Sequence, residues 1–375
     1  MIQKIGVDGF DYPEERNITS LPVTGYEFVR VRDLFNVLSF LRRKAFMPPG
    51  PTSLFNCLYN DLGWNSVPLL HFFNVISASS TPWIVTYEHY IPRWNVNSAR
   101  GMRLLARKAC RKIIAMSKFA FDFQCHYLEG HPEYRDAIRA KMCILHPAQK
   151  MLVNSYSEKE PDKDFITFTF AGTDFFRKGG KEILRVFDRL IAERYPVKLN
   201  IVSSMEYGDY ASRTTEKDRK EALEVIHKLR DHVTLYHRLP NSEVLNLFRH
   251  SHVGLLPTYD DTYGFVVLES QAAGCPVIST DTCALPETNN DSIGWCIPVP
   301  KDGFGSALMG TAEQRSLLSS TIQEHLYSIV REICAHPGIV RDKGVRCLEK
   351  IKTECDPKDR AKTMEGIYRE ALEKA

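Results

Sequence analysis

The chain lacks several features that would fix its class at once. Its 375 residues include ten cysteines, but these are scattered and no two form a C-x2-C pair. A disulfide framework or a thiolate zinc site needs tighter spacing, so free thiols in a reducing, cytoplasmic setting are expected. The formal net charge is only +3, which gives no reason to expect a nucleic-acid partner. No uncharged apolar run reaches the ~20 residues that a bilayer crossing takes. Met1–Tyr12 shows no basic segment followed by an apolar one, so no secretory signal is expected. There is no G-x4-G-K-[ST] phosphate loop. The D-x-D at Asp162 and Asp164 lies in a polar stretch with no apolar strand to deliver it to a pocket. No metal site and no resident cofactor are therefore expected, and internal repeats and low-complexity tracts are absent.

What the chain has is alternation. Short apolar runs at Ile5–Val7, Glu27–Val31, Val67–Leu70, Trp83–Tyr87, Ile113–Met116 and Met142–Leu145 read as buried strands. Helical patterns lie between several of them, at Leu34–Arg43, Ala99–Cys110 and Lys118–Leu128. The polar stretch from Asn154 to Asp164 reads as an interdomain linker. Beyond it come strands at Phe165–Phe170, Leu199–Val202, Val233–Tyr236, Val253–Leu256 and Val277–Ser279. A helix is expected over Gly180–Arg194, and another over Arg360–Leu372, where Met364, Ile367, Tyr368, Ala371 and Leu372 make one apolar stripe. Buried strands alternating with helices imply parallel sheets covered on both faces. A chain of this length divides into two such α/β domains, each doubly wound, and ligands of such sheets bind beyond the carboxyl ends of the strands.

One segment carries chemistry. After the strand Val253–Leu256 the chain reads Pro257-Thr258-Tyr259-Asp260-Asp261-Thr262-Tyr263-Gly264-Phe265-Val266-Val267-Leu268-Glu269. Gly264 opens a helix, whose first N–H groups carry partial positive charge and suit a phosphate. Asp261 and Glu269 flank that site. Phosphate would repel them, so they are useful only toward hydroxyls, on a ribose or a sugar ring. The bland alternative makes Asp261 a helix cap and Glu269 a surface acid.

The run resembles the retaining glycosyltransferases of family 4, the group 1 type with the GT-B fold. Their pattern P-S-x-x-E-x-F-G, x4-E, then G-x-P-V-I is matched by Pro257, Thr258, Asp261, Tyr263, Gly264, Glu269, Gly274, Pro276, Val277 and Ile278, with Pro286 and Glu287 following. The departure is Asp261, where the family usually has Glu; its reach is shorter by roughly one carbon–carbon bond, ~1.5 Å. The loop Gly172-Thr173-Asp174-Phe175-Phe176-Arg177-Lys178-Gly179-Gly180 resembles the family's basic loop for the donor diphosphate. Lys178 matches its lysine, and Arg177 stands in for a cation missing at Thr173. Thr81–Arg93 resembles the strand that brings a histidine to the site, and alignment puts Glu88 at that place with His89 next. His71 and Asn74, at the end of a neighbouring strand, and Arg93 are candidates for the acceptor side.

The resemblance implies two Rossmann-like parallel-sheet domains facing across a cleft. Residues 1–155 would bind the acceptor and 156–358 the sugar nucleotide, while 359–375 would return to the first domain as a closing helix. It implies a metal-independent hexosyltransferase that keeps the donor's anomeric configuration. Glu269 would hold the ribose, Asp261 the transferred sugar, and Arg177 with Lys178 the diphosphate; Gly172, Thr173, Tyr263, Gly264, Phe265 and Val266 would shape the donor pocket. A sugar-nucleotide epimerase of the same fold and a non-catalytic sugar-nucleotide-binding protein stay open beside it.

Charge adds one feature. From His89 to Phe121 there is no acid, and Arg93, Arg100, Arg103, Arg107, Lys108, Arg111, Lys112 and Lys118 give +8. Arg100, Arg103, Arg107 and Arg111 fall on one face if the helix runs through them. Such a face suits an anionic membrane surface or a lipid diphosphate, so a lipid-linked glycan acceptor in surface polysaccharide assembly is expected.

Overall fold

The computed structural model describes residues 2–35, 37–38, 57–93 and 98–373. The helix expected over Leu34–Arg43 falls largely outside them. Two compact units emerge: Met1–Ala148 with Cys355–Ala375, and Gln149–Glu354.

In the first unit, strands β1 (Gln3–Val7), β2 (Tyr26–Arg30), β3 (Leu69–Phe73), β4 (Trp83–Tyr87), β5 (Cys110–Ala115) and β6 (Met142–Ile144) form one sheet in the order β2-β1-β3-β4-β5-β6. Every pairing is parallel. Helices α1 (Ser98–Ala106), α2 (Lys118–Tyr127) and α3 (Pro132–Arg139) follow β4 and β5. β3 and β4 are buried at every residue, as strands covered on both faces must be.

The second unit repeats the plan. Its strands are β7 (Ile166–Ala171), β8 (Val197–Val202), β9 (Val233–Tyr236), β10 (Val253–Leu256), β11 (Val277–Thr280) and β12 (Trp295–Ile297), in the order β9-β8-β7-β10-β11-β12 and all parallel. Helices α4 (Gly180–Ala192), α5 (Glu216–Lys228), α6 (Asn241–His250) and α7 (Phe265–Ala272) are its crossovers; α8 (Ala312–Ala335) and α9 (Gly338–Glu354) follow β12. The last helix, α10 (Pro357–Glu373), lies in the first unit, where Met364, Ile367, Tyr368 and Ala371 join a core with Ile5, Leu69, Ile84 and Ile114.

Two expectations are corrected here. The stretch from Asn154 to Asp164 is no free linker. Lys159 is only 7% exposed and donates to the carbonyls of Phe248 (3.0 Å) and Ala273 (2.9 Å). It thus caps the carboxyl ends of α6 and α7, where helix carbonyls lack partners and a cation is favoured. The D-x-D is likewise taken up locally: Asp162 pairs with Lys198 at 2.9 Å and accepts from the backbone of Asp164.

The arginine face is the second. α1 stops at Ala106, and Arg111 belongs to strand β5. Lys141 donates to the carbonyls of Leu105, Ala106 and Arg107 at 2.7–3.0 Å and closes the helix end. Arg107 and Arg111 therefore do not continue the face of Arg100 and Arg103.

Candidate functional site

Sheet order locates a crevice in the second unit. From β7 the chain steps to β8 and β9 on one side, then returns to β10 on the other. The strand order reverses between β7 and β10, and the loops after those two strands diverge there. These are the loops that carry Lys178 and Asp261.

The loops are tied together by backbone. Tyr259 N donates to Arg177 O at 2.9 Å, and Thr258 Oγ1 donates to the same carbonyl at 3.2 Å. Gly179 has a φ of +81°, and a Cβ there would lie 2.1 Å from Pro257 O. Only glycine permits both the left-handed turn and that approach. Gly172 serves differently. Lys178 lies across it, with Cδ 2.5 Å from where a Cβ would stand.

Lys178 Nζ reaches Asp261 Oδ2 at 3.2 Å, and both side chains are largely buried. Asp261 Oδ1 accepts from Gly264 N at 2.9 Å. Its carboxylate therefore sits between the loop lysine and the entrance of α7. Burial alone would raise its pKa; Lys178 and then Arg177 outweigh that and hold it below the usual carboxylate value. Gly264 (φ +77°) is the N-cap of α7. Tyr263 is buried against Phe265, with ring centroids 5.4 Å apart, and Val266 is partly buried in the adjoining core. Glu269 is 8% exposed, so it is no surface acid.

Arg177 is already engaged. Its Nε donates to Asp174 Oδ2 at 2.6 Å and an Nη to Asp260 O at 2.5 Å. It braces the two loops. Thr173 offers its carbonyl to Ser203 Oγ at 3.1 Å and to Glu206 N at 3.2 Å, joining this loop to the one after β8.

Asp260, which the sequence did not single out, is the node of the site. Its carboxylate accepts from Tyr210 Oη at 2.5 Å and from Cys283 Sγ at 3.3 Å. Tyr210 and Cys283 lie in separate loops with no motif around them, so no spacing could have marked either.

In the first unit the structure groups some candidates and separates others. Asn74 (φ +57°) follows β3, and its Oδ1 accepts from Glu88 N at 3.2 Å, just past β4. Glu88 pairs with Arg93 at 2.8 Å. Asn74, Glu88 and Arg93 thus form one polar group at the carboxyl ends of adjacent strands. His89 turns away into aromatic packing, stacked on Phe119 with an interplanar angle of 10° and 4.3 Å from the Phe123 centroid. His71 is corrected: β3 runs on to Phe73, so His71 lies inside the strand and is wholly buried. Tyr368 Oη at 2.8 Å and Thr86 Oγ1 at 2.9 Å occupy its two ring nitrogens. It is a core residue that fastens α10 to the sheet.

Residues 154–309 match the model of the glycosyl transferases group 1 family. Over this segment, less than half of the chain, the protein is similar to the group 1 glycosyltransferases. The matched stretch takes in the Lys178 loop, Asp261 and Glu269. Over 198 residues the chain is 25% identical to a D-inositol 3-phosphate glycosyltransferase of Streptomyces avermitilis, covering 50% of this chain and 40% of the relative. The chain spans about half the length of the curated relatives it matches. Among solved structures it resembles Anabaena Alr3699/HepE in complex with UDP, with a TM-score of 0.62 at 9% identity over 98% of this chain and 100% of that one. It also resembles WaaG, a glycosyltransferase involved in lipopolysaccharide biosynthesis, with a TM-score of 0.57 at 14% identity over 92% and 87%. At these identities the likeness concerns the fold: two Rossmann-like parallel-sheet domains, as in GT-B glycosyltransferases.

Proposed function

We propose that the chain transfers a hexose from a nucleoside-diphosphate sugar to a hydroxyl acceptor, without a metal ion and with retention of anomeric configuration. The observation that carries this is Lys178, laid across Gly172 and paired with Asp261 beside the amino end of α7, at the switch point between β7 and β10. Lys178 and the Gly264 N–H there both meet the Asp261 carboxylate, and the same cation and N–H would suit an oxyanion. The leaving diphosphate gains charge as the bond from its oxygen to the sugar C1 breaks, and preorganised donors stabilise that charge. The acceptor oxygen forms the new bond to C1 on the same face, and its proton passes to the departing diphosphate oxygen. Donor release of Lys178 would leave the Asp261 carboxylate for the sugar hydroxyls, and the buried Glu269 would hold the ribose. Asn74, Glu88 and Arg93 are the acceptor-side group of this reading. The UDP complex of HepE supports the donor class. The lipopolysaccharide role of WaaG and a similar protein in a Klebsiella pneumoniae cps region favour a lipid-linked glycan in surface polysaccharide assembly as acceptor.

The test is product analysis with labelled nucleoside-diphosphate sugars, with and without excess EDTA. Transfer that survives the chelator and keeps the donor's configuration is expected. An inverted product, or activity lost to EDTA and restored by manganese, would refute it. Release of an epimerised sugar nucleotide without transfer would favour the epimerase.

A further inference from the structure

A second pocket, of about 180 Å3, lies in the same unit beside the first turn of α4. Its most buried polar group is Glu182, which is 2% exposed. Oε1 of Glu182 accepts from Tyr259 Oη at 2.9 Å and from Ser319 Oγ at 2.7 Å. Oε2 is buried, and no donor reaches it among the described residues. A carboxylate oxygen left in this way is costly unless a ligand or solvent donor meets it. The hydroxyls of Ser212 and Thr214 also line the pocket.

Its exposed side has the opposite character. Arg185 and Arg213 line it, both are exposed, and among the described residues neither has an ion-pair partner. The other acid in the lining, Asp218, is neutralised by Lys181 at 2.6 Å. The pocket is therefore lined by a buried acid and hydroxyls within, and by two uncommitted guanidinium groups without. A ligand that meets both ends carries hydroxyls on one side and an anionic group on the other. At ~30 Å3 per water molecule in the liquid the space takes about six waters, the scale of one sugar ring.

We propose that this pocket binds a sugar phosphate, its ring hydroxyls on Glu182 and its phosphate on Arg185 and Arg213. Guanidinium forks suit phosphate oxygens. The site is separate from the Lys178–Asp261 pair but mechanically joined to it. Tyr259 donates through its hydroxyl to Glu182 and through its backbone to Arg177 O, and Phe176, which lines the pocket, directly precedes Arg177. A ligand that draws on Glu182 thus acts on the brace of the donor loops, so a sugar phosphate is an effector of donor binding. This consequence rests on the donor-site reading; the binding itself does not.

The experiment is calorimetric titration of the full chain with a hexose 6-phosphate, with inorganic phosphate and neutral hexose as controls. Saturable binding is expected for the hexose phosphate, at least about tenfold weaker in the Arg185→Gln/Arg213→Gln variant, since both charge-assisted contacts to the phosphate are lost. Both arginines are exposed, so the variant keeps its fold, and its affinity for UDP in the absence of sugar phosphate is expected to be unchanged. No saturable binding, equal affinity in the variant, equally tight binding of either control, or displacement by UDP would each overturn the proposal. Failure of UDP itself to bind would instead count against the donor site.

Discussion

Lys178 is the residue on which the proposed chemistry turns, and its surroundings say what its loss would do. It is held by Asp261 and lies over a glycine; without it the Asp261 carboxylate keeps the nearby Arg177 charge and the Gly264 N–H. Lys178→Ala is expected to fold and to lower the transfer rate ~100-fold or more, the usual cost of losing one preorganised donor to a developing oxyanion. Near wild-type turnover would refute the assignment. Asp261→Asn is expected to bind UDP more tightly than wild type, because it removes the anion that now competes for Lys178, while transfer falls; weaker UDP binding would show that the carboxylate helps to hold the nucleotide. His71 gives a prediction about stability. Burial drops its pKa from 6.5 to about 3, and His252, for the same reason, drops to about 4. Below about pH 6.5 the unfolded chain takes up protons that the folded chain refuses. Stability should therefore be full above that pH and fall toward pH 4, by roughly 1.4 kcal/mol per unit for each such histidine. Urea titrations across this range check it, and a flat profile would contradict the buried neutral state.

At the scale of elements, two glycines of one loop separate function from fold. A Cβ on Gly172 meets only the flexible Lys178 side chain, whereas one on Gly179 meets the carbonyl of Pro257 at a φ of +81°. Gly172→Ala is expected to keep the melting temperature while impairing transfer by displacing Lys178. Gly179→Ala is expected to lose stability by more than ~1 kcal/mol. Equal effects on both properties in both variants would refute the distinction. This loop was legible in the sequence because glycines and lysine carry their own signal. Strands such as Val233–Tyr236 and Val253–Leu256 were equally plain, since buried parallel strands are unbroken apolar runs. The arginine face misled because a spacing of three and four describes a helix only while the helix lasts. Cys110, Ile113 and Ala115 gain more by pairing with β4 in the sheet core, and Lys141, more than thirty residues away, marks the end. Tyr210 and Cys283 reach Asp260 through tertiary structure alone, and no local pattern encodes that.

For the whole molecule the decisive fact is that the units are unequal in continuity. The first is assembled from Met1–Ala148 and Cys355–Ala375, the second from the unbroken Gln149–Glu354. Its own core contains Phe168, Phe170, Phe187, Leu199, Leu255, Leu318 and Leu326, and even the former linker residue Lys159 is spent within it. At 206 residues it is long enough for a single stable core. The first unit, by contrast, depends on the far end of the chain, because α10 supplies Met364, Ile367 and Tyr368 to its core and a hydroxyl to His71. A chain ending at Glu354 would expose that core at ~1.5–3 kcal/mol per large apolar side chain and leave a His71 nitrogen without its partner. The isolated segment Gln149–Glu354 is therefore expected to fold cooperatively, to bind UDP with an affinity close to that of the full chain, and to transfer nothing. The segment ending at Glu354 but starting at Met1 is expected to melt in two steps, with the first unit giving way early. Circular dichroism and calorimetric titration of both fragments test this. An unfolded Gln149–Glu354, or one blind to a nucleoside diphosphate that the full chain binds, would mean that the nucleotide site needs the first unit and that the donor assignment to the second alone is wrong.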